Sequence, residues 1–335
     1  MTRGAAKTLV VVVTGGTAGV GRAVVRRFAR DRAAVAILAR GRDGLDATAK
    51  DVVALGGRAL PLSCDVADAD AVEEAAVEIE EKLGPVDIWI NVAFAGILSR
   101  FVDISPEDYK RVTEVTYFGQ VNGTRAALRR MLPRNRGSIV LVGSALAYRG
   151  IPLQSAYCGA KHAIQGFQDA VRSELYHANS HVHLSMVHLP GVNTPQFDWM
   201  KSNLPRKPKP ASPPYQPEVA ADAIHYAAFH PRKQIFVGFP TVKVIWADRF
   251  ASSLLDRYLG ATGFKGQQDK DLIGAGYRDN LWEPVAGDYG AHGRFDAEAR
   301  SLSLQLLFTK HRNLMATAAL LGLACLLLRN RRVGR

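Results

Sequence analysis

Tyr157 and Lys161 stand four residues apart in "AYCGAK", one helical turn, so both side chains leave the same helix face. An ammonium beside a phenol stabilises phenolate and draws the tyrosine pKa down from its usual value of about 10. A ring resting on a lysine stem is equally an ordinary surface arrangement, and the pair alone leaves both readings open. A second group, Thr14-Gly15-Gly16-Thr17-Ala18-Gly19-Val20-Gly21, follows an apolar β-branched run and precedes a helical pattern. Glycines at such a turn let the backbone approach a pyrophosphate, whose charge then rests on the helix N-terminus. A glycine cluster is otherwise a plain turn, but its place between strand and helix favours the nucleotide.

The elements that must position these residues alternate. Strands are expected at Val10 to Val13, Ala34 to Leu38, "ALPLSC", "VDIWINV", "SIVLVGS", "VHLSMVHLP" and "QIFVG". Between them lie helical patterns from Val20 to Arg30, from Asp43 to Gly56, and from Asp68 to Leu83. A longer one opens at Ser105-Pro106-Glu107-Asp108 and runs to about Leu132, another runs from Gln154 to about Tyr176, and a short one starts at Glu218. This order predicts an α/β fold, a doubly wound parallel (Rossmann) sheet of about seven strands with helices on both faces. About twenty residues past the glycine turn, where such a fold presents a carboxylate to the ribose, stand Ala39 and Arg40. A guanidinium with no carboxylate beside it favours a 2′-phosphate and therefore NADP, the alternative being a solvated loop arginine.

"TGGTAGVG", "YCGAK" and a serine, Ser144, upstream of Tyr157 together resemble the short-chain dehydrogenase/reductase family over about residues 8 to 240. The resemblance implies that Tyr157 protonates a substrate carbonyl oxygen as hydride arrives and that Ser144 holds that oxygen. Lys161 would lower the Tyr157 pKa and bond the nicotinamide ribose. It also implies cofactor contacts at Thr14, Gly15, Thr17, Gly19, Val20, Gly21, Asp65, Val66, Asn91 and Ala93. Thr194 would reach the nicotinamide amide. Two positions depart from the family pattern: Phe94 stands where glycine is common, and Thr116 takes the place of the catalytic asparagine, which leaves the proton relay in question. Phe197, Trp199, Met200 and Leu204, with Tyr148, suit either a hydrophobic substrate or the anchoring of a loop. The expected activity is interconversion of a hydrophobic ketone or aldehyde and its alcohol. The rival is an NADP-binding sensor or membrane scaffold without turnover.

The chain of 335 residues carries 43 Lys+Arg against 31 Asp+Glu, a net charge of +12. The basic residues are scattered except at Arg329, Arg331, Arg332 and Arg335, and no aromatic-basic motif points to nucleic acid. Three separate cysteines suit a reducing compartment without disulfides, and His181 with His183 lacks a third ligand for a metal. After the catalytic region (1–240) comes an extension (241–312) with one amphipathic helix near Val242 to Leu259 and a Gly-rich stretch. Residues 313–335 close the chain. Leu314 to Leu328 is uncharged and about 22 Å long as a helix, short of a bilayer core of about 30 Å, so it reads as a segment entering one leaflet or packing on protein. A cytoplasmic-face location follows from the cofactor and the basic tail. The helices at Asp108 to Leu132 and Gln154 to Tyr176 imply, by resemblance, a homodimer or homotetramer.

Overall fold

A computed structural model describes residues 8–312. The segment Leu314 to Leu328 lies outside the described residues. Among them, no helix is long and apolar enough to cross a membrane.

Seven strands form one parallel sheet: β1 (Val10–Thr14), β2 (Ala34–Ala39), β3 (Arg58–Ser63), β4 (Ile88–Asn91), β5 (Gly137–Ser144), β6 (Val182–Leu189) and β7 (Gln234–Phe236). Their spatial order is β7-β6-β5-β4-β1-β2-β3, the doubly wound arrangement expected from the alternating pattern. The strand order reverses between β1 and β4, and such a crevice at the carboxyl ends of the strands is where this fold binds ligands. β1 is buried throughout because its four valines feed both faces in turn. Val11 and Val13 join Val24 and Phe28 of α1 (Gly19–Arg30), Leu45 and Val52 of α2 (Arg42–Ala54), and Ile224 from the helix before β7. Val10 and Val12 join the core under α3 (Ala69–Leu83) on the other side.

The long helix after Ser105 is present as α4 (Pro106–Thr113) and α5 (Gly119–Met131), capped by the Ser105 hydroxyl accepting from the Asp108 amide at 3.1 Å. The two are joined by a π-helical turn, Glu114–Phe118, which the hydrophobic spacing did not announce. α6 (Ser155–His177) carries the Tyr-Lys pair, α7 (Gln196–Trp199) is a single turn, and α8 (Pro217–Phe229) covers the first face of the sheet. α9 (Phe239–Gly266) is longer than the spacing suggested and is interrupted at Ala251 (φ −145°, ψ 44°). The chain beyond it returns to the sheet: Leu281 enters one core, and Ala291 and Leu306 enter the other. α10 (Leu304–Lys310) ends the described chain.

Candidate active site

The carboxyl ends of β1, β4, β5 and β6 open into a cavity of about 510 Å³. One end is floored by the glycine turn and the other by apolar side chains. At Gly15 (φ +66°) a Cβ would lie 2.8 Å from Ala93 Cα, and at Gly21 one would lie 2.0 Å from the Gly15 carbonyl oxygen. Any side chain there would fill the turn, so packing requires glycine at both positions and conformation requires it at Gly15 as well. The first turn of α1 carries no acid and Ala18 offers no side-chain cap, which suits an incoming phosphate. Against the glycine turn, where a Cβ at Gly19 would lie 3.0 Å from Thr194 Cβ, Thr194 is buried and its hydroxyl has no hydrogen-bond partner. A buried orphan hydroxyl lining a cavity is a group waiting for a polar ligand. The glycine turn, a helix without a side-chain cap and the orphan hydroxyl all fit a nicotinamide dinucleotide.

The reactive trio converges in the middle. Ser144 ends β5, and its Oγ accepts from the Leu146 amide at 3.1 Å. It also hydrogen-bonds Tyr157. Lys161, one turn along α6, is fully buried; its Nζ donates to the Val142 carbonyl at 2.6 Å and lies 5.5 Å from the Tyr157 ring centre. Burial pushes the ammonium down to about 7. Burial likewise pushes the Tyr157 phenol above its ordinary value, opposed by the Ser144 hydrogen bond. The expected lowering of Tyr157 by Lys161 is thus not what this geometry produces: the ammonium sits against the ring, and loss of solvent outweighs it. Phe94 packs edge-on to Tyr157 with ring centres 5.7 Å apart.

Thirteen of the sixteen site residues singled out from the sequence line this cavity. Three do not. The Thr14 hydroxyl accepts from the amides of Val92 and Ala93 at 3.1 and 3.3 Å. Asn91 is fully buried, accepting from Trp89 Nε1 at 3.1 Å and donating to Thr124 Oγ1 at 3.2 Å. Thr116, in the π-helical turn, donates to the Ala95 carbonyl at 2.9 Å and accepts from the Ala95 amide at 3.0 Å. All three lie beneath the floor because each satisfies backbone or core groups of the β4 region that would otherwise be buried unpaired. Among the described residues no hydrogen bond joins Thr116 to Lys161. Tyr148 also turns away, donating to Gln234 at 2.8 Å, and Leu204 packs in a small cluster with Phe197 and Met200. Phe197, Trp199 and Met200 do line the cavity, beside Leu255 and Leu259 of α9.

The Gly-rich stretch of the extension carries what sequence reasoning missed. Residues 278–296 run as a strap along the cavity rim. The Gly290 carbonyl accepts from the Gly19 amide at 3.0 Å, and Asp288 pairs with buried Arg22 at 3.0 Å. Arg40 Nη1 donates to the carbonyls of Leu281 (3.3 Å) and Trp282 (2.6 Å), and Nη2 to that of Asn280. Arg111 donates to the Leu281 carbonyl at 3.2 Å and pairs with Asp65, and Trp282 Nε1 donates to Asp108 at 2.9 Å. Tyr289 meets Trp199 edge-on with ring centres 4.5 Å apart. No motif marks these contacts, most of which use backbone carbonyls; only the glycine content hinted at close approach. Beneath Ser144, His188 is fully buried with Nδ1 3.1 Å from the Ser144 carbonyl. A carbonyl only accepts, so Nδ1 carries the proton; burial pushes this imidazole down to about 4.

A family model described as short chain dehydrogenase matches residues 9–204. An uncharacterized oxidoreductase, YxnA, of Bacillus subtilis (strain 168) is 30% identical over 255 residues, which cover 76% of this chain and 72% of that protein. A short chain dehydrogenase of Pseudocercospora fijiensis is 39% identical over 167 residues, 49% of this chain; the match spans only 54% of that protein's length. Among solved structures, an actinorhodin polyketide ketoreductase crystallised with NADPH superposes with a TM-score of 0.60 at 25% identity, covering 69% of this chain and 95% of that one.

Proposed function

The chain belongs to the short-chain dehydrogenases, and from that premise we propose that it is an NADP-dependent carbonyl reductase or alcohol dehydrogenase for a hydrophobic ketone, aldehyde or secondary alcohol. One observation carries the reading: Ser144, Tyr157 and Lys161 share a single cavity whose far wall is Phe197, Met200, Leu255 and Leu259. The bound nicotinamide supplies or takes the hydride. Tyr157, protonated at neutral pH, gives its proton to the carbonyl oxygen; Ser144, already bonded to the phenol, holds the same oxygen. Lys161, held on the Val142 carbonyl, would bond the nicotinamide ribose, and the Thr194 hydroxyl would take up the nicotinamide amide.

For the 2′-phosphate, the strap occupies three of the five guanidinium hydrogens of Arg40 and leaves Nε–H and one Nη2–H for a phosphate. NADPH in the ketoreductase neighbour supports the same cofactor. Thr116 serves the fold of the Ala95 loop and only through it the site. Residues 1–240 form the catalytic unit and the extension its lid, at the cytoplasmic face, in a homo-oligomer.

The test is Tyr157→Phe, followed as NADPH oxidation over a panel of aliphatic and aromatic carbonyls. Turnover is expected to fall by at least about a hundredfold, the share of a general acid, while NADPH still binds. Unchanged turnover in the variant overturns the catalytic assignment. NADPH binding without turnover on any carbonyl by the unmodified protein leaves the sensor reading in its place.

A further inference from the structure

α9 is 28 residues long, yet Thr241 is its single buried residue. Helices in folded proteins persist mainly because one face is packed, so two helical segments, joined at Ala251, with so little burial call for a second partner. Its inner side is accounted for: Val244, Leu255 and Leu259 line the cavity. Its two acids are accounted for too, since Asp248 pairs with Arg149 at 3.0 Å and Asp256 pairs with the same guanidinium. The outer side is not. Before the interruption at Ala251, Trp246 and Phe250 stand one turn apart with 55% and 78% of their surface exposed and their rings stacked, centres 5.6 Å apart; beyond it Leu254 is 69% exposed.

Interleaved with them stand Lys243, Arg249, Arg257 and Lys265, all exposed and without an ion pair among the described residues. We propose that this face of α9 docks on an anionic lipid surface, lying in the interface plane with the cavity behind the helix. Aromatic rings alternating with unpaired cations are the composition of an interfacial helix. Charge decides between occupants. A second copy would bring these cations against the same cations. The chain's own apolar run, Leu314–Leu328, ends in Arg329, Arg331, Arg332 and Arg335 and would do likewise. Anionic headgroups neutralise both sets. The described chain also ends beside α9: the Gly238 amide, just before it, donates to Gln305 of α10 at 2.8 Å, and α10 exposes Leu304, Leu307 and Phe308. The docking rests on the exposed face alone; that it brings hydrophobic carbonyl compounds to the cavity rests on the function proposed above.

The test uses the full chain with phosphatidylcholine vesicles, with and without phosphatidylglycerol, whose acyl chains carry bromine to quench nearby tryptophan. Vesicles containing phosphatidylglycerol are expected to quench part of the emission, and Trp246→Phe to abolish that part while binding persists. Phe250→Glu should weaken vesicle binding at least tenfold with NADPH binding unchanged. Three results overturn the proposal: quenching that survives in Trp246→Phe, binding with no quenching at all, as from the C-terminal run alone, or vesicle affinity unaltered by Phe250→Glu. Self-association in lipid-free buffer that Phe250→Glu removes assigns the face to a second copy and overturns it as well.

Discussion

Two buried bases, His188 and Lys161, set how the cavity around Ser144 responds to protons. His188 is neutral in the folded protein, pushed down to about 4, whereas in the unfolded chain it titrates near the ordinary 6.5. Above about 6.5 it is neutral in both states. As pH falls from there towards 4 the unfolded imidazole takes a proton that the folded one refuses, so stability is lost across that window, by up to about 3 kcal/mol. His188→Phe keeps a ring stacked on Phe236 and removes the titration. Its urea midpoint should change less between pH 7 and 4.5 than that of the unmodified protein; equal changes rule the mechanism out. Arg40 is the other decisive residue. Arg40→Asp places a carboxylate where a 2′-phosphate would lie, and kcat/KM for NADPH should fall at least about tenfold while that for NADH does not. A parallel fall for both cofactors would show that Arg40 holds the strap and not the phosphate.

At the scale of elements the strap explains why Arg40 is held at the cavity rim at all. Leu281 is fully buried, and the carbonyls of Asn280, Leu281 and Trp282 surround the guanidinium. Leu281→Ala should cost about 2–5 kcal/mol of stability if the site does not collapse. By loosening those carbonyls it should raise KM for NADPH several-fold more than KM for NADH, read in parallel assays. An equal effect on both would detach the strap from cofactor choice. None of this was visible in the sequence, because a strap that acts through backbone carbonyls needs no particular side-chain pattern. The seven strands, by contrast, were legible from runs such as Val10 to Val13, since burial on two faces demands apolar residues at every position. The π-helical turn at Glu114–Phe118 escaped notice for a third reason: it is set by the Thr116 hydroxyl reaching the Ala95 peptide, a contact between distant segments that periodicity does not encode. The same holds for Thr14 and Asn91, whose side chains bond groups beneath the floor and do not line the cavity.

For the whole molecule the open question is what covers α6. Its inner face packs Ala156, Ile164 and Leu175 into the core, while Gly159, Ala163, Gly166 and Ala170 are exposed at intervals of three or four residues. A Cβ at Gly166 would meet nothing within 4 Å. Small residues on an outer face permit close approach of another helix, and Phe118, Leu132 and Tyr176 are exposed nearby in sequence on the elements that flank this surface. A stable interface needs about 800 Å² per partner, which two helices of this length can supply. Arg125 of α5 is exposed without an ion pair among the described residues, but no row of such cations runs along α6 as it does along α9. We therefore expect the protein to be at least a dimer through α5 and α6 in lipid-free buffer. Ala163→Arg inserts a long charged side chain into that contact and should shift the population to monomer, as read by light scattering after size exclusion. The same variant should keep NADPH binding, because Ala163 faces away from the cavity. A clean monomer of the unmodified protein, or an oligomer indifferent to Ala163→Arg, would remove α6 as the interface.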